Sequence, residues 1–454
     1  MSLVMLGVIA LIASEKIQRT LVVFFVASAL IFMSYSLGHF FPWFNFISLE
    51  SAFASIDGQV IGLLIGMMII VGVMSHTNVF QWLAVKMFEA SKGRFVPLYF
   101  TFFFVTAFFS AFLDNVTMMF LVTPVAISIA RIFEVSPVKF VLAMIFASNI
   151  GGTATLIGDP PNIMIGSYAG LSFNAFLMNL GLPVIFLLII ISISTYMMMR
   201  SEFSKARTID DIDTVLATLR EANPLKHRKL LIASVGTLIF VILGFFVHSY
   251  LHMPAAVAAL MGAALLMLIR DRLIRRKFGK THACKEMMEE RIHHTFSKDV
   301  EWLVIGFFVF LFMIVGAVEH TGVLNQIAFF IQNTFGDNLL LCALAILWIA
   351  AIASMLLDNI PFTAVMLPVV GSLVEFYAGQ GMNAQFLWWA LALGACLGGN
   401  GTLIGASANL VGAALLEKEK YHLSFGEFFK YGFPLTIIQI LLSSIVIYIM
   451  YLMA

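Results

Sequence analysis

The sequence predicts an all-α polytopic membrane protein built as two inverted repeats. Three observations carry that prediction. Of 454 residues, 61% are hydrophobic and only 11% are charged, and the mean hydropathy is +1.00. A soluble chain carries roughly a quarter charged residues, so lipid must cover much of this one. Uncharged runs such as 230–269 and 431–454 are long enough for helical spans, which need about 20 apolar residues. Finally, a shift of 244 residues lays one half of the chain on the other.

In chain order the candidate spans are 2–14, 20–39, 58–77, 140–165, 172–199, 229–247, 254–270, 301–319, 384–415 and 431–453. The run 2–14 lacks a basic leader and reads as a short first span, not a cleaved signal peptide. Two further apolar segments, 96–130 and 338–374, carry one aspartate each, Asp114 and Asp358. Each segment is about 35 residues, and one straight helix of that length would run about 52 Å. That is too long for a bilayer core, so each segment must turn back, with its aspartate near the turn.

Lysine and arginine orient the spans. They cluster at 16–19, 86–94, 131–139, 200–229, 270–298 and 418–430, and all 26 fall on one side. Basic loops stay cytoplasmic, which puts the chain in the cytoplasmic membrane with both termini outside. The polar stretches 200–228 and 271–300 read as cytoplasmic linkers. The chain then divides into a first repeat, 1–199, a linker, 200–228, and a second repeat, 229–454.

The repeat is visible in the letters. "VGVMSHTNVF" (71–80) meets "VGAVEHTGVL" (315–324), and Asp114-Asn115 falls on Asp358-Asn359. At a shift of 247, "GGTATLIGDPPN" (151–162) meets "GGNGTLIGASAN" (398–409). Each half has five crossings and one turned-back segment. An odd number of crossings inverts the second half, an arrangement typical of secondary transporters with midplane sites.

The Asp-Asn pairs admit two readings. One is a turn at the membrane surface with an ordinary N-cap; in "DNIP", Asn359 would cap and Pro361 would sit in the first turn. The other is a re-entrant hairpin at mid-depth, where a carboxylate is paired, protonated or binds a cation. Asp114, Asn115, Asp358 and Asn359 then form candidate Na⁺ ligands, with Thr117 and Thr363 beside them. The stretches 151–158 and 398–405 bring Gly151, Gly152, Gly398 and Gly399 together with Thr153, Thr155, Thr402 and Asn400. Close helix packing accounts for glycines. Pro160-Pro161 after Asp159 points instead to an unwound turn followed by a new half-helix, with Asp159 as cap or as coupling acid. Asn162 and Asn409 match and could bind across the break. His76 and His320 also match; each ends a span and reads as structural before it reads as a proton relay. No lysine or arginine falls in a predicted membrane core, so an anionic substrate would rely on helix N-termini and bound cations.

"SAFLDNVTMMFLVTP", "SNIGGTATLIGDPPN" (which adds Asn149) and "LDNIPFTAVMLP" resemble the ion transporter superfamily, and within it the branch of arsenite-efflux permeases and the P-protein type. "SEKIQRTLVV" at 14–23 resembles the P-protein pattern too. The resemblance spans nearly the whole chain. It implies two inverted repeats, each of five transmembrane helices with a re-entrant hairpin and an unwound helix, and it implies a dimer. Dicarboxylate carriers of the superfamily have Ser-Asn-Thr at the hairpin tips. Asp114-Asn115 and Asp358-Asn359 look more like the tips of its sodium–proton antiporters.

The expected function is a secondary active transporter coupled to Na⁺ or H⁺, with no cofactor beyond that ion. Its rivals are an arsenite, oxyanion or organic-anion efflux permease and a passive anion channel. A net charge of +1 gives no reason to expect nucleic acid. There is no phosphate-binding loop, zinc spacing or nucleophile elbow, so no enzyme is expected. Cys284, Cys342 and Cys396 are scattered; Cys396 reads as a small packing residue. For arsenite-type members an ATPase subunit could dock on the linkers, but solvated loops are the better reading.

Overall fold

The computed structural model describes residues 17–209, 211–222, 224–279, 282–336 and 338–453. The expected first span, 2–14, lies outside them. The described residues hold 20 α-helices and no strand. Nine of these helices are long and apolar enough to cross a membrane.

Several helices begin where a polar side chain takes up free amides. α1 (Arg19–Ser36) is capped by Gln18 and α2 (Leu49–Ala54) by Ser48. α3 (Gly58–Ser75) is capped by Asp57. α4 (Val79–Ala90) follows Asn78, whose φ is +60°. α5 (Phe95–Ser110) and α6 (Asn115–Ile132) form the first hairpin. α7 (Pro137–Gly152) and α8 (Pro160–Ala169) are the two parts of one broken span. α9 (Phe173–Phe203) and α10 (Ile212–Ala222) lead to α11 (Arg228–Val247) and α12 (Ala255–Phe278). After α13 (His282–His294), a π-helical turn at Thr295–Asp299 leads into α14 (Trp302–His320). α15 (Val323–Phe335), α16 (Leu339–Leu356) and α17 (Asn359–Gly379) follow. α18 (Phe386–Gly398) and α19 (Ser407–Lys418) are again two parts of a broken span, and α20 (Phe425–Met453) closes the chain.

The offset of 244 reappears as geometry. α3, α4, α5 and α6 start at 58, 79, 95 and 115, and α14, α15, α16 and α17 start at 302, 323, 339 and 359. The two sets also interlock. α1 packs on α14 and α12 on α3; α17 packs on α8 and α19 on α6. Each hairpin thus leans on the half-helix of the other half.

Five elements differ from the sequence reading. α12 runs eight residues past the expected span end at 270, because nothing in 271–278 breaks a helix; Gly279, at φ +69°, does. Charge marks where a membrane can end, not where a helix must. The expected loops at 200–228 and 271–300 hold α10 and α13, and α10 docks on α4, where Arg220 pairs with Glu89 at 3.0 Å. α4 and α15 are additional short helices. They start after Asn78 and Gly322, both left-handed and 244 apart, and Gly322 (φ +71°) adopts that conformation without a steric cost.

Candidate functional site

The first hairpin tip is closed by Asp114. Its carboxylate accepts from the Thr117 amide at 2.9 Å and from the Thr117 hydroxyl at 2.5 Å. The second tip is closed by Asp358, which accepts from the Ile360 amide at 3.1 Å. The N-caps are therefore Asp114 and Asp358. Asn359 is the first helical residue and not the cap of the surface-turn reading, while Pro361 does lie in the first turn. Asp358 has two further partners: Ser407 Oγ at 2.6 Å and Arg19 Nη1 at 2.5 Å. Arg19 also donates to Ser407 and lies over the Phe307 ring, 5.1 Å from its centroid. The expectation that an anion would have only helix N-termini and bound cations to rely on is thus corrected: a guanidinium from just outside the span 20–39 reaches the second tip. Arg19 opens α1, and its long stem carries the guanidinium to the second hairpin tip.

The broken spans are anchored to the hairpins by the same contacts in both halves. Ser110 donates to the Ser148 carbonyl and Ser354 to the Ala395 carbonyl, each at 2.7 Å. Thr155 donates to the Ala111 carbonyl and Thr402 to the Met355 carbonyl. Gly151 lies against Ala107 and Gly398 against Ala351, so closely that a Cβ would collide with the facing backbone. The glycines therefore do both things weighed for them: they pack helices, and they precede true breaks in the chain.

Asn162 and Asn409 hold the unwound loops. The Asn162 amide donates to the carbonyls of Thr153 at 3.1 Å and Thr155 at 2.9 Å, and within reach of Gly152 at 3.3 Å. Asn409 donates to Gly399 at 2.7 Å and Thr402 at 2.9 Å. Between the halves runs a buried amide chain. Asn115 donates to Asn149 at 3.2 Å, Asn149 to Asn400 and Asn409 at 2.9 Å each, and Asn400 to Gln439 at 3.1 Å. Cys396, the counterpart of Asn149 at a shift of 247, donates its thiol to Asn162 Oδ1 at 3.5 Å. Each half therefore reaches across to the loop-holding asparagine of the other.

Asp159 occupies the N-cap position of α8, yet its side chain makes no capping bond. The cap reading is corrected: the carboxylate instead accepts from Asn359 Nδ2, at 3.3 and 3.4 Å. It lies within electrostatic range of both Asp358 and Asp114. Thr153 and Thr363 bond back to the carbonyls four residues earlier, at 2.9 and 2.7 Å, so their hydroxyls serve their own helices. His76 and His320 part company. His76 Nε2 is 3.2 Å from Asp299, whereas His320 is exposed at the end of α14.

Four contributors escaped the sequence reading. Arg19 stood only as one of the basic residues at 16–19, Ser407 was not singled out, and Cys396 read as packing. Gln439 had a signal, an amide inside the uncharged run 431–454. Chemically, the site offers hard oxygen ligands at each hairpin tip and a neutral amide core between them. Asp358 is the tip with a cationic side chain against it. No ion pair engages Asp114 or Asp159 among the described residues.

A profile of the citrate transporter family, CitMHS, matches residues 9–394. The chain belongs to that family. Its relatives include an uncharacterized transporter of Mycobacterium bovis, 35% identical over 441 residues, which are 97% of this chain and 96% of that protein. The 46 kDa membrane protein of Mycobacterium leprae is 35% identical over 448 residues, 98% of this chain and 96% of that protein. The P protein of Mus musculus is 31% identical over 515 residues; the match covers 96% of this chain and 58% of the P protein. Among solved structures, the YdaH transporter of Alcanivorax borkumensis matches with a TM-score of 0.56 over 95% of this chain and 98% of that one, at 15% identity. The resemblance to the ion transporter superfamily and its P-protein type therefore holds. This member of the CitMHS family is a multi-pass membrane transporter.

Proposed function

We propose that the chain is a secondary active carrier of the cytoplasmic membrane, driven by Na⁺ or H⁺, with its basic loops facing the cytoplasm. The observation that carries this reading is the asymmetry of the two hairpin tips. Asp358 is neutralised by Arg19, whereas Asp114 has, among the described residues, only Thr117 as a side-chain partner. A carboxylate in a membrane interior is paired, protonated or cation-bound. Asp114 is thus the place for the coupling cation, with the Thr117 hydroxyl as a second oxygen. Arg19 and Asp358 hold the other tip closed to cations until the carrier changes state. The hairpins and broken spans would move as inverted repeats against the frame of α1, α3, α12 and α14.

One observation favours an anionic substrate for this carrier. Arg19 places a guanidinium beside two helix N-termini, those of α17 and α19, and helix N-termini attract anions. The family description points to a carboxylate substrate of the citrate kind. Flux into proteoliposomes tests both parts: labelled citrate uptake is measured under an imposed Na⁺ or pH gradient. Uptake that ignores both gradients, or that persists unchanged in Asp114→Asn, overturns the coupling reading. An anion current down its own gradient that needs no coupling Na⁺ or pH gradient would identify a passive channel instead.

A further inference from the structure

We propose that the cavity around Arg270 binds a phosphate-bearing anion. This cavity lies apart from the hairpin tips, between the N-terminus of α11, the distal part of α12 and α13. It measures about 620 Å³ and is lined by His227, Arg228, Lys229, Arg270, Arg276 and Arg291 with apolar residues, and by no carboxylate among the described residues. Arg270 is 4% exposed. Its Nη1 donates to Thr295 at 2.7 Å, but Nε and Nη2 are buried without a hydrogen-bond partner among the described residues. The adjacent carboxylate, Asp271, forms an ion pair with Nε at 3.8 Å but lies beyond hydrogen-bond reach, so it leaves both donors unused.

A buried charged group stays unfavourable while its donors go unused, even with a carboxylate at ion-pair distance, until hydrogen bonds complete it. The unused pair on Arg270 is the fork that matches two oxygens of a phosphate. Arg276 and Arg291 supply further charge, and the first amides of α11, beside Arg228 and Lys229, have no partner within their own helix. The shared chemistry is therefore a phosphate group, and two sources can supply it: the headgroup of an acidic phospholipid, or free phosphate. Ile232 and Leu268 are 64% and 69% exposed along the same two helices, so an acyl chain would find apolar surface leading away from the cavity. Clusters of basic residues at the end of membrane helices take acidic lipids in this manner.

The test uses the full chain in nanodiscs of phosphatidylcholine. In one arm phosphatidylglycerol is added; in the other, inorganic phosphate is titrated against chloride. Thermal midpoints and retained adducts in native mass spectrometry are the readouts. Binding in the lipid arm alone assigns the headgroup, and binding in the phosphate arm alone assigns the free ion; either supports the site. Arg276→Gln combined with Arg291→Gln should weaken that binding by about tenfold or more, as expected for charge-assisted contacts. Arg291→Gln alone serves if the double variant does not fold, and Lys92→Gln, away from the cavity, should change nothing. The proposal fails if neither probe binds, or if the cavity variants and Lys92→Gln behave alike.

Discussion

Arg19 and Asp358 are 339 residues apart in sequence, and their side chains meet at 2.5 Å. The contact ties the start of α1 to the tip of the second hairpin. Asp358 is 6% exposed and Arg19 26%, so the pair is shielded on one side only. A double-mutant cycle with Arg19→Gln and Asp358→Asn should give a coupling of about 1–3 kcal/mol in thermal unfolding. Additive effects would mean that the pair does not hold the tip.

Asp114→Asn separates charge from capping. Asparagine caps a helix about as well as aspartate, so stability should change by less than about 1 kcal/mol. Cation-driven flux should fall by about tenfold or more, the loss expected when a charged ligand becomes neutral. Wild-type flux in this variant would remove Asp114 from the coupling site.

The matched anchors should behave as a matched pair. Thr155→Val and Thr402→Val each remove one buried donor to a hairpin carbonyl. Each should cost about 1–3 kcal/mol, since the carbonyl is left buried and unpaired. Denaturation of both variants in detergent checks this. One neutral result beside one large loss would break the equivalence of the two halves.

Gly398→Ala would place a Cβ 2.5 Å from the Ala351 carbonyl oxygen. The collision is with backbone, which cannot rotate away, and overpacking of this kind costs about 1–3 kcal/mol or more. Gly379→Ala is the control, because nothing lies within 4 Å of its added carbon. It should be neutral or stabilising by about 0.5–1 kcal/mol in its helix. A loss at both positions would point to a need for backbone freedom and not to packing.

Much of the architecture was legible because a membrane turns composition into structure. A 35-residue apolar segment has to fold back, and "LDN" in both copies marked where. The repeat offset of 244 located equivalent helices to the residue, from Gly58 and Trp302 to Asn115 and Asn359, because periodic apolar runs with polar caps leave few places for a helix to begin. Glycine pairs followed by Pro160-Pro161 announced a broken span for the same reason: backbone chemistry is local.

What only the tertiary structure decided was partnership. Nothing near Asp159 in sequence says that its carboxylate turns away from α8 toward Asn359, 200 residues on. Nothing at Arg19 distinguishes an interfacial anchor from the counter-charge of Asp358, and Cys396 gives no hint that it stands opposite Asn162. Local pattern determines where helices start, stop and face. Which polar groups satisfy one another depends on how the two halves interlock, and that follows from long-range packing that no window along the chain contains.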